Sequence, residues 1–334
     1  MAHLVLGIGS SHGPTIQSPP EVWRRLGDGD AHDARYDFAA LLRNAPPGLD
    51  EEITLERQTA RHEANQAGLA ALNDRLRAAD LDAIVVVSNP HRVWPEDNQP
   101  VFGVFRGSQL PVGQRRGARD PETRFQGGER RAPEIKLFPG EPDLANHLIE
   151  TLIEDGFDIA ATDQMREGAA LDEAFTFLYQ RFLPEGDVPM VPFILSLYLP
   201  HQATAARCYA LGQALRRSIE SWDSDARVGI MASGGLSHQI IDQELDHTVI
   251  DALVGGDVKT LCGLDRGRLN GAPGTPEILN WVAVAGAMEP TLMTLVGYEP
   301  CYRSLAGTGH GVTFGYWAGR SPAPTRRRRA RSQA

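Results

Sequence analysis

Along this chain, short apolar runs alternate with longer stretches whose apolar positions recur at helical spacing. The runs are LVLGI (4–8), AIVVV (83–87), VFGVF (101–105), VPFILSL (191–197) and RVGIMAS (227–233). Runs this uniformly apolar suit strands covered on both faces. Between them, helical spacing predicts helices near 59–79, 143–155, 171–182, 203–221, 239–253 and 276–288. Such alternation predicts an α/β protein with helices layered on a central sheet. No internal repeat is visible and no linker divides the chain, so one α/β domain is expected over 1–321.

Two stretches break the pattern. Residues 106–136 are punctuated by glycine and proline and carry seven arginines, from Arg106 to Arg131. A loop insertion this long in a compact domain is usually functional or disordered, and a lid or subunit contact is expected here. The last stretch, 322–334, reads as a disordered basic tail, with five arginines among its final ten residues. Taking their five charges from the net −10 leaves −15 for the rest of the chain, a balance that repels nucleic acid. Three cysteines, Cys208, Cys262 and Cys301, lie far apart with no C-x-x-C pair. That argues against a disulfide framework and against a thiolate metal site, and fits a reducing cytoplasm. No run approaches the roughly 18 apolar residues of a spanning helix, so no membrane association is expected.

Candidate chemistry lies where the apolar runs end. The opening GIGSSHGP places His12 where a G-x-G-x-x-G fingerprint needs its third glycine, so a dinucleotide site is excluded. His91 follows the second run in VVVSNPHRVW, His238 follows a later one in IMASGGLSHQ, and Glu277 opens a helix in GAPGTPEILNW. In open α/β sheets, ligands bind beyond the carboxyl ends of the strands, so these residues are expected to converge. Two imidazoles and a carboxylate leave three positions open on a metal, the facial arrangement of non-haem Fe(II) oxygenases. Zinc accepts the same ligand types, and spacing does not choose between them. A further histidine off the metal is free for acid and base work near neutral pH. Ser237 precedes His238, but Gln239 stands where a G-x-S-x-G elbow needs glycine, so a serine hydrolase is disfavoured. His62, His147, His201, His3, His32 and His247 read as packing or surface residues. His310, flanked by glycines in GTGHGVTFGYW, is a candidate substrate contact.

Taken together in this order, the four motifs resemble the class III extradiol ring-cleavage dioxygenases, the family of the catalytic subunit of protocatechuate 4,5-dioxygenase. The segment RCYALGQALRRSIES also resembles the family's helix before the catalytic strand. The resemblance implies a central mixed sheet flanked by helices, with Fe(II) as cofactor held by His12, His91 and Glu277. It implies His238 as the catalytic acid and base, and a catecholic substrate opened with both atoms of O₂. Ser237, His310 and Glu167 are the candidate substrate contacts.

Departures bear on the substrate. Pro90 stands where protocatechuate-type members carry an aspartate, and DQMREGAAL offers Arg166, Glu167 and Gly168 where they carry a histidine and glycine. The longer stretch between His12 and His91 is more like members acting on gallate or its O-methyl ethers. The expected substrate is therefore a catecholic aromatic acid of the gallate, 3-O-methylgallate or protocatechuate type, its carboxylate met by an arginine fork from 106–136. The alternatives are an aminophenol- or hydroxypyridine-cleaving relative and a non-catalytic metal-binding one. A homo-oligomer, with or without a small second subunit, is the expected assembly.

Overall fold

The computed structural model describes residues 1–89, 94, 98–114, 134–165 and 169–319. In chain order the strands are β1 (His3–Ser10), β2 (Ala83–Ser88), β3 (Phe102–Phe105), β4 (Gln109–Gln114), β5 (Glu134–Pro139), β6 (Ile159–Thr162), β7 (Met190–Leu195), β8 (Arg227–Ser233), β9 (His238–Ile240), β10 (Thr294–Tyr302) and β11 (Thr308–Ala318). Nine of them form one mixed sheet in the order β10-β11-β1-β8-β2-β7-β3-β6, with β9 paired to β11, while β4 and β5 pair separately. Strands β1, β8, β2 and β7 are parallel neighbours, so their carboxyl ends open at the same end of the sheet.

The longer helices are α1 (Leu55–Ala78), α2 (Pro142–Glu154), α3 (Glu173–Arg181), α4 (Ala205–Ser221), α5 (Gln243–Gly255) and α6 (Ile278–Met288). Strand side chains alternate between two cores. Val85, Val87 and Phe193 pack with residues of α2, α4, α5 and α6, whereas Ile84, Val86 and Ile194 pack with residues of α1 and α3. Both faces of the central strands are therefore covered, which is why they read as unbroken apolar runs. Every residue of α6 is buried, as its uniformly apolar sequence requires. None of the described helices is long and apolar enough to cross a membrane.

The structure alters the expected loop at 106–136. Its ends are strands β4 and β5, because Leu110, Val112 and Phe138 turn inward and Phe138 stacks on Tyr179 at 4.1 Å. Residues 115–133 lie outside the described residues, as does the tail expected at 322–334. The strands β10 and β11 are additional to the expected ones. Glycines at 309, 311 and 315 lower the strand propensity of β11, yet pairing with β1 on one side and β10 on the other fixes it as a strand.

Candidate active site

His12 leaves β1 two residues past its carboxyl end. The glycines before it serve packing: a Cβ at Gly9 would overlap the Trp281 ring of α6. Ser233, the last residue of β8, donates its hydroxyl hydrogen to Ala174 O at 2.5 Å. Its oxygen therefore accepts from His12 Nδ1 at 3.1 Å. With the proton on Nδ1, His12 presents the Nε2 lone pair, and Nε2 stands 4.0 Å from Glu277 Oε1.

A Gly-Gly turn brings the next histidine into place. Gly234 and Gly235 have φ of 103° and 79°, the left-handed region open to glycine. A Cβ at Gly234 would overlap the Glu277 carboxylate, so the turn both bends the chain and makes room for the acid. Gly235 N donates to Glu277 Oε2 at 2.7 Å, and Trp281 Nε1 donates to Gly234 O at 2.6 Å. His238 then bonds Leu236 O through Nδ1 at 3.0 Å, and its Nε2 faces Glu277 Oε2 at 3.4 Å. A carbonyl only accepts, so His238 carries a proton on Nδ1 and turns Nε2 to the carboxylate, which favours a second proton there. Glu277 itself ends the turn Thr275–Glu277 that starts α6, where a helix amino terminus favours negative charge.

Electrostatics separate the two inner histidines. Burial alone would push the His238 imidazole down, but the Glu277 charge, the hydrogen bond to it and the Leu236 carbonyl together hold it above its ordinary value. His310, stacked on His238 with ring centroids 4.4 Å apart, is pushed well below its ordinary value by burial and next by His238. Tyr198, past the end of β7, bonds Asn89 at the end of β2; it is 41% exposed, and partial burial, then the Glu277 charge, raise its phenol.

Among the expected site residues, His12, His238, Glu277 and His310 thus come together, while His91 and Glu167 lie outside the described residues. Ser237 is buried, with its hydroxyl donating to Asp246 Oδ2 at 2.7 Å and accepting from Asp242 N at 2.9 Å. Asp246 also accepts from Ser237 N at 2.8 Å and from Tyr298 OH at 2.8 Å, and burial pushes its carboxyl up to about 6. Of the seven arginines between 106 and 136, Arg106 is described, and it meets Asp163 and Asn146 on the surface. The apolar and helical pattern does not single out Ser233, Asp246 or Tyr198. Only Ser233 carried a signal, standing directly before the glycine pair.

The donor set suits a divalent metal. His12 Nε2 and the buried Glu277 carboxylate face each other, and second partners hold both, Ser233 the imidazole and Gly235 N the carboxylate, as metal ligands require. Among the described residues no three His, Cys, Asp or Glu form a metal-holding group by themselves. With His91 outside them, two of the three expected ligands are on view.

Residues 52–309 match the family described as the catalytic LigB subunit of aromatic ring-opening dioxygenase. A gallate dioxygenase from Pseudomonas putida is 32% identical over 166 residues, covering 45% of this chain and 46% of that protein. The chain thus matches about half the length of that relative. An uncharacterized protein from Escherichia coli K12, known as a crystal structure, aligns with 93% of this chain and 99% of its own at 14% identity and a TM-score of 0.45. On the extent of the family match, the chain belongs to the LigB family of aromatic ring-opening dioxygenases, the class III extradiol enzymes.

Proposed function

We propose that this protein is an Fe(II)-dependent extradiol dioxygenase that inserts both atoms of O₂ into a catecholic aromatic acid and opens its ring. The observation that carries the reading is the meeting of His12, His238 and Glu277 beyond the carboxyl ends of parallel strands. The gallate type is favoured among substrates because a relative matched over 45% of the chain is a gallate dioxygenase.

In this reading His12, His91 and Glu277 hold the iron, which when bound acidifies the substrate hydroxyls and joins substrate and O₂ electronically. The protein's own work is proton handling. His238 Nε2 accepts a proton from a substrate hydroxyl while Nδ1 stays bonded to Leu236 O, and the imidazolium returns it as the ring opens. Glu277 beside it favours the protonated form, so His238 is a strong enough base for a phenol already acidified. Tyr198, bonded to Asn89 and near enough to Glu277 to feel its charge, is in this reading a polar group beside the substrate.

The test is oxygen uptake by anaerobically Fe(II)-loaded protein against gallate, 3-O-methylgallate, protocatechuate, catechol and 2-aminophenol. Uptake with an absorbing ring-opened product from a catecholic acid supports the proposal. Uptake with 2-aminophenol alone moves the substrate to the aminophenol class, and silence across the panel with iron bound counts against the catecholic reading.

A further inference from the structure

We propose that His310 is a positioning residue that holds both His238 and Glu277 in their working orientation. The sheet register sets it there: on the antiparallel pair β9–β11, His310 stands directly opposite His238. Directly opposed residues have Cβ atoms about 5 Å apart, close enough for rings to meet. Here they stack, with centroids 4.4 Å apart and planes 23° from parallel.

The His310 ring is 2% exposed and occupied at both ends. Its Nε2 lies 2.9 Å from Gly235 O, and since a carbonyl only accepts, Nε2 carries the proton. Its Nδ1 edge lies against Gly13, where a Cβ would overlap the ring. The Ser11 hydroxyl also donates to Gly235 O. Gly235 N in turn donates to Glu277 Oε2 at 2.7 Å. His310 therefore supports the face of the acid–base ring and, through the same glycine, fixes the backbone donor that orients the candidate iron ligand. Burial, and next the His238 ring, push the His310 imidazole well below its ordinary value.

The kinetic part of the test rests on the ring-opening reading, and the spectroscopic part does not. A long-range ¹H–¹⁵N correlation spectrum of the full-length, metal-free protein is expected to show His310 protonated on Nε2. A His310 proton on Nδ1 would overturn the proposal, whatever the variants do. His310→Phe keeps the stacked ring and loses the donor, and His310→Gln keeps a donor and loses the ring. Both are expected to shift the His238 ring resonances and to lower kcat roughly ten- to a hundredfold, with KM for the aromatic substrate within about twofold. A raised KM at unchanged kcat would make His310 a substrate contact and overturn the positioning role. So would unchanged kinetics in both variants. An iron-loaded wild type that opens no ring would sink the ring-opening reading and leave the spectroscopic test standing.

Discussion

At the residue scale, the site works through small polar groups that decide where each proton sits. Ser233 settles the His12 tautomer and Leu236 O settles that of His238, so both rings offer Nε2 to Glu277. His12, His238 and Glu277 were legible because each follows an apolar run or opens an apolar helix. Asp246 was not, since an acidic residue in DQELDH reads as solvated surface. The glycine turn gives a first prediction: Gly234→Ala places a methyl group against Glu277, so iron content and turnover should fall together while the folded far-UV spectrum persists. Asp246 gives a second. Its folded pKa of about 6 lies above the ordinary aspartate value, so the folded protein binds this proton more tightly than the unfolded chain. The stability it adds is full below the ordinary value and is lost as pH rises through 6, a change of about 3 kcal/mol. Urea unfolding of wild type and Asp246→Asn should show the wild type losing ground by that order between pH 4 and 7. A pH-independent difference between the two would refute it.

At the element scale, the fold places chemistry by ending strands and starting helices together. The two-sided strands β2, β7 and β8 were legible because burial on both faces leaves an unbroken apolar run. Strands β10 and β11 were not, because glycines dilute their pattern and long-range pairing supplies what local sequence lacks. Helix α6 was legible as a helix, but its partner was not. It crosses α4 so closely that a Cβ at Gly286 would overlap Tyr209 O. Gly286→Ala is accordingly expected to cost about 1–3 kcal/mol through overpacking, read as a lowered Tm. Because Glu277 rides at the start of the same helix, iron affinity should weaken alongside it. A variant of unchanged Tm and iron affinity would mean the crossing has slack that its geometry denies.

At the scale of the whole molecule, the single-domain reading is a proposal that strand order makes concrete. Strand β11 is the last described strand, and it pairs β1, the first, so the sheet needs the chain as far as Ala318. A protein ended at residue 321 is expected to keep the Tm and kcat/KM of the full chain, and a large loss of either would give the basic tail a role in the domain. In the proposed function labour is divided, with Glu277 holding iron and His238 moving protons. This division is tested most directly by measuring bound iron and oxygen uptake side by side in wild type, Glu277→Gln and His238→Gln. Glu277→Gln is expected to lose both, while His238→Gln keeps its iron and loses turnover by about 10²-fold or more. Full iron and full turnover in Glu277→Gln, or undiminished turnover in His238→Gln, would contradict it.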